Sequence, residues 1–308
     1  MTLQFREIAS GLQFPEGPIA MDDGSIILVE IARPTLSRVT PDGEVSVIAD
    51  TGGGPNGAAI GPDGHVWITN NGGFRWNRSG GRILPGPQPD DYTGGSIQRV
   101  NLETGAVETV YTECDGIPLK GPNDIVFDAH GGFWFSDLGK NREFDRDLGA
   151  LYYAKADGSQ ISRAVFPIPG GANGVGLSPS GDRVYIAETP TGRLFGWEIA
   201  EPGVLAADNA VAGFHAFIAN ASGYTLFDSL AVEEDGNVCI ATIGPGGVTV
   251  INPDSGDVEH VAVGDDPLTT NICFGGSDLR TAYITLSTTG RLIACDWPRS
   301  GLRLNYNA

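Results

Sequence analysis

Six stretches of the chain share one grammar, and that repetition constrains the fold more than any other feature. Each opens with an acid or amide, runs into a short apolar segment, breaks at a Gly/Asp/Asn turn and resumes as a second apolar segment. The stretches are Phe14 to Glu30, Gly54 to Asn70, Gly121 to Asp137, Gly171 to Glu188, Phe227 to Thr242 and Thr270 to Thr285. Apolar runs flanking such turns read as hairpins. A weaker strand pair follows most of them, as with Ser96 to Val100 and Val107 to Tyr111, which gives four strands per unit. The acid or amide falls at Glu16, Asn56, Asn123, Asn173, Asp228 and Asn271, at spacings of 40, 67, 50, 55 and 43 residues. Four-stranded units at this period predict an all-β, six-bladed β-propeller, a single domain over residues 1–308 whose radial closure leaves no long sheet edge exposed. Leu3 to Ala9 alternates as a strand does and is expected to complete the last blade beside Arg291 to Cys295.

Composition points the same way. Gly and Pro, 45 and 20 of 308 residues, make up about a fifth of the chain, too much interruption for a helical bundle. The net charge of −19 is spread along the chain, which argues against nucleic acid or an anionic membrane as partner. The N-terminal residues show no basic segment followed by a long apolar run, and no stretch approaches spanning length, so a cytoplasmic location is expected. Cys114, Cys239, Cys273 and Cys295 lack C-x-x-C spacing and read as buried free thiols. No Gly-x-Ser-x-Gly elbow supports a hydrolase triad. His65 and His130 fall in hairpin turns away from the channel entrance, and His215 in an expected outer strand of the fourth blade.

The wide second spacing holds an insertion, residues 71–95, too polar and too rich in Pro and Gly for a core strand. It is expected to be a loop over one face of the propeller, at the channel mouth. Its Phe74, Arg75, Trp76, Arg78, Arg82 and Tyr92 are a dense basic and aromatic group in an acidic chain, and Arg75 and Trp76 are its candidates for contact with a substrate.

In a propeller the first strand of each blade lines the central channel, so the six acid and amide positions converge into one ring. That ring holds two carboxylates, four amides and no cationic side chain. Two carboxylates facing each other in an enclosed channel repel, and a cation between them resolves the conflict. The donors are hard oxygens, which favours calcium, then magnesium or manganese, with zinc the softer alternative. Asn56 and Asn271, the ring members left over from the smaller set named below, are assigned with Asn123 to substrate binding.

The motifs Phe14-Pro-Glu16-Gly-Pro, Gly121-Pro-Asn123-Asp, Gly171-Ala-Asn173-Gly and Asp228 before Leu-Ala-Val resemble, over essentially the whole chain, those of the senescence marker protein (regucalcin), gluconolactonase and luciferin-regenerating enzyme family. The resemblance implies a six-bladed propeller holding one divalent cation through Glu16, Asn123, Asn173 and Asp228, with Asn123 in some members contacting substrate. The same quartet is similar to that of diisopropyl-fluorophosphatase propellers. One departure stands out: animal regucalcins and their sugar-lactonase relatives carry an Arg two residues before the third-blade Asn, where this chain has Gly121.

Such a site can polarise a carbonyl or phosphoryl oxygen and bring water to it. The expected activity is metal-dependent opening of a small-molecule lactone, with Asp228 as base. A carboxylate beside a cation is a weak base, so strained or good-leaving-group esters are favoured. Direct attack by Asp228 is the other route. The competing readings are a phosphotriesterase on the same site and a non-catalytic calcium-binding propeller.

Overall fold

The structure is a computed structural model that describes residues 3–206 and 216–307. Among the described residues the regular structure is entirely strand, and no helix is long and apolar enough to cross a membrane. The strands gather into six antiparallel blades whose inner strands are Pro15–Ala20, Pro55–Ile60, Pro122–Phe127, Ala172–Leu177, Leu226–Val232 and Thr269–Gly275. Each inner strand contacts the next, and the sixth contacts the first, so the ring closes. The sixth blade takes its outer strand from the N-terminus: Arg6–Ala9 pairs with Arg291–Asp296, Arg6 lying opposite Ala294.

Five blades have four strands. The fourth departs from that expectation, because Arg193–Glu201 pairs at one end with Val204–Leu205 and at the other with Phe217–Asn220. Its outer position is shared by two short strands, since one nine-residue strand is too long for either to cover. His215 lies outside the described residues. The insertion also differs from a plain loop: Trp76–Ser79 and Arg82–Pro85 form a small hairpin of their own around Gly80-Gly81.

The apolar core lies between blades, not on the axis. Trp67, Phe127 and Phe133 fill the boundary of blades two and three, and Trp134, Tyr153 and Trp197 fill that of three and four. Cys114, Cys239 and Cys295 are buried and Cys273 partly so, all as free thiols.

One irregularity recurs in every blade. The pairing of the inner strand with its neighbour slips by one residue at the ring position, between Glu16 and Ile19, Pro55 and Ala58, Pro122 and Ile125, Ala172 and Val175, Phe227 and Leu230, and Thr269 and Asn271. A bulge breaks the strict alternation of faces and re-aims the side chain it carries. Here it turns an acid or amide toward the axis at one level in all six blades. The kinked strands press together: a Cβ on Gly57 would stand 2.7 Å from the Asn123 carbonyl oxygen, and one on Gly174 would stand 2.7 Å from that of Asp228.

Candidate metal centre

Two sets of hydrogen bonds set the ring positions. In the first, the last residue of each second strand in blades one to four reaches back to the turn that leads into the ring residue. Gln13 N donates to Glu30 Oε2 (2.7 Å), Gly54 N to Asn70 Oδ1 (2.8 Å), Gly121 N to Asp137 Oδ1 (2.7 Å) and Gly170 N to Glu188 Oε1 (2.6 Å). In the second, hydroxyls peg one blade to the ring backbone of the next. Thr69 Oγ1 donates to the Asn123 carbonyl (2.6 Å), Ser136 Oγ to the Asn173 carbonyl, and Ser287 Oγ to the Pro15 carbonyl (2.6 Å). Blade four has Ala187 at the position of Thr69 and Ser136, so the Asp228 carbonyl receives no such peg.

All six ring residues are buried, between 2 % and 8 % exposed. Glu16 Oε2 accepts from Gly17 N (3.0 Å) and from Asn271 Nδ2 (2.8 Å), while Asn271 Oδ1 accepts from Ile272 N (2.8 Å). Both ends of the Asn271 amide are therefore engaged, and the side chain fixes Glu16. Burial pushes Glu16 up to about 7, against the opposing effect of the bonds from Asn271 and Gly17. Burial, and after it the charge of Glu16, pushes Asp228 well above the ordinary carboxylate range.

The two remaining members of the quartet supply the clearest test of fit. The Nδ2 of Asn173 donates to Thr189 Oγ1 (3.0 Å), yet its Oδ1 and the Oδ1 of Asn123 are buried without any hydrogen-bond partner. Buried polar atoms are nearly always paired. Two unpaired carbonyl oxygens beside two carboxylates that resist ionisation form a donor set that fits a hard divalent cation. Among the described residues no group of three or more His, Cys, Asp or Glu side chains is placed to hold a metal, so a set here has to recruit amide oxygens.

Asp124, beside Asn123, could from sequence be a support to the ligands or simply strand-facing, and is left out of the metal set; it is a buried acid. Its carboxylate accepts from Ile125 N (2.9 Å) and crosses to blade four to accept from Val175 N (3.3 Å), and burial pushes it up to about 7. Its signal was present: the residue after the ring position is Gly, Gly, Gly, Ser or Ile in the other repeats and an acid only here. Below the ring, a cavity of about 690 Å³ runs from Asp124 and Asn271 past Ile60, Val126 and Val232 toward the C-terminal residues 302–307.

On the ring side of the propeller, Arg75 pairs with Asp90 within the insertion. Trp76 packs on Phe14 and Phe74, with ring centroids 5.1 and 5.7 Å apart. Asn56 is buried in the ring. His65 sits beside Asp63 at the opposite end of its strand, and His130 borders the lower cavity. The Gly121 departure has a steric reason: a Cβ there would lie 2.5 Å from the Gly139 carbonyl oxygen, so the backbone occupies the space an Arg stem needs.

The chain is 22 % identical over 304 residues to a gluconolactonase of Zymomonas mobilis, covering 91 % of this chain and 78 % of that one. It is 27 % identical over 245 residues to lactonase drp35 of Staphylococcus saprophyticus, covering 79 % and 67 %. A diisopropyl-fluorophosphatase of Loligo vulgaris is 23 % identical over 206 residues, 63 % of each chain. Among solved structures, the calcium-binding protein regucalcin of Agrobacterium tumefaciens superposes with a TM-score of 0.74 at 16 % identity, covering 99 % of both chains, which shows the shared fold. Residues 14–288 match the family described as SMP-30/Gluconolactonase/LRE-like region, and the chain belongs to that family.

Proposed function

We propose that this protein is a metal-dependent hydrolase that opens the ring of a small-molecule lactone. The observation that carries this reading is the pair of unpartnered amide oxygens on Asn123 and Asn173, buried in one ring with Glu16 and Asp228. The gluconolactonase and lactonase relatives support the reaction class. A divalent cation, calcium first, held by those four residues would draw electron density from the lactone carbonyl. Asn271 and Gly17 hold the Glu16 carboxylate in place, so the negative side of the site does not reorganise during turnover. Asp228 takes the proton of the attacking water. A bound cation would favour the ionised form of Asp228 and make it a weak base, which restricts the reaction to strained or activated esters. With the space before Asn123 filled by Gly139 and an apolar group of Phe14, Phe74, Trp76 and Leu268 on the same side, the substrate carries an apolar ring or chain in preference to a polyol.

A panel of sugar, aryl and acyl-chain lactones, followed by acid release before and after chelation, tests the assignment. Hydrolysis that is lost with chelator and restored by calcium supports it. Turnover indifferent to metal sinks the metal-dependent mechanism. No lactone opened by metal-loaded protein, with an organophosphate turned over instead, favours the chemistry of the fluorophosphatase relative.

A further inference from the structure

The insertion is anchored at two widely separated places on the ring side of the propeller. At one end it is tied to blade three. Lys140, 2 % exposed, donates through Nζ to the carbonyls of Asn71 (2.8 Å) and Gly73 (2.5 Å) and sits over the ring of Phe74 at 4.2 Å. Tyr92 Oη donates to the Lys120 carbonyl (2.5 Å), and Gln88 N donates to that of Asn141 (2.8 Å). At the other end the hairpin reaches blades one and six: Arg78 donates to Gln13 Oε1 (2.7 Å), and Ile83 N donates to the Thr288 carbonyl (2.9 Å). With its own blade two, the segment spans four consecutive blades.

What it grips on blade one is Phe14, two residues before Glu16. Phe14 has φ +60°, a left-handed setting that strains a bulky L-residue and persists only where the surroundings over-determine it. Those surroundings are Ile31, Ile83 and Trp76, the last two from the insertion, together with the bond from Ile31 N to the Phe14 carbonyl (3.1 Å). The next residue, Pro15, is pegged by Ser287, and the one after is Glu16.

We infer that Trp76 is a positioning residue: by clamping Phe14 in its left-handed setting, with the far end of the insertion fixed by Lys140, it holds the Glu16 limb of the cation site. This rests on the reading above that Glu16 helps to hold a cation. The insertion then acts as a fixed strap joining the blade of Glu16 to the blade of Asn123.

Calcium titration calorimetry on full-length protein tests it, with four variants. Trp76→Ala is expected to raise the calcium dissociation constant about tenfold, the low end for residues that orient metal ligands. Trp76→Phe, which keeps a ring on Phe14, is expected to stay within about twofold, and Lys140→Met to fall between the two. Val250→Ala, in the buried third strand of blade five, lowers Tm without touching the strap and is expected to leave the constant unchanged. The inference is overturned if Trp76→Ala binds calcium as the parent protein does, or if Val250→Ala weakens binding as much as Trp76→Ala. A parent protein that binds no calcium would instead strike the metal assignment itself.

Discussion

At the residue scale, the site is a set of side chains denied their ordinary partners. Asn123 and Asn173 each bury an amide oxygen with nothing to accept, while burial opposes the charge of both Glu16 and Asp228 and the charge of Glu16 opposes that of Asp228 further. Asp228→Asn keeps the volume and removes the proposed base. Steady-state lactone hydrolysis is expected to fall by about a hundredfold or more, with the melting temperature held or raised. A variant retaining full turnover would exclude Asp228 as base and as nucleophile. The ring itself was legible, because the same residue class recurs at the same phase of six repeats and a propeller converts that phase into proximity. Asp124 escaped because its role lies in bonds to Ile125 and to Val175 across a blade boundary, and spacing within one repeat carries no information about the neighbouring blade.

At the scale of single elements, the recurrent bulge matters most. In blades one, two and four the residue after the ring position is glycine, where one kinked strand presses closely on the next. Gly174→Ala would set a methyl group 2.7 Å from the Asp228 carbonyl oxygen. That clash is expected to cost about 1–3 kcal/mol in urea unfolding and to weaken calcium binding together with stability. The C-terminal segment gives a second case. Glu233, wholly buried, accepts from Trp297 Nε1 (2.6 Å), Asn237 Nδ2 (2.9 Å) and Arg299, tying that segment to blade five. Burial alone would raise its pKa, but the bonds from Arg299, Trp297 and Asn237 outweigh that and hold it below the usual 4.5. A lowered pKa lends stability that is complete above the unfolded value and lost as pH falls through the folded one. Glu233→Gln is therefore expected to cost about 1–3 kcal/mol at pH 7, with the gap to the parent protein closing as the medium is acidified below pH 4.5. A gap independent of pH would assign the contact to packing. Neither the split outer strand of blade four nor the hairpin in the insertion was legible. The first follows from the length of Arg193–Glu201, and the second hides in a polar segment that lacks strand alternation.

For the whole molecule, the decisive contact is the closure of the sixth blade by Arg6–Ala9. Blade count and closure were readable because turn chemistry and period leave few other all-β solutions for six such units. Removing residues 1–9 would bare the edge of Arg291–Asp296, an open template for pairing. The shortened chain is expected to melt about 5–10 °C lower and to associate with rising concentration, checked by calorimetry and light scattering. Unchanged melting and a constant mass would show that the other five blade boundaries suffice.

The hydroxyl pegs are unevenly distributed around the ring. Thr69, Ser136 and Ser287 fasten the main chain under Asn123, Asn173 and Glu16, whereas Ala187 offers nothing to the strand beneath Asp228. Three corners carry a hydroxyl peg and the fourth does not. In the proposed reaction Asp228 is also the residue that would take the proton from water, so the unpegged corner and the chemistry would fall on the same residue.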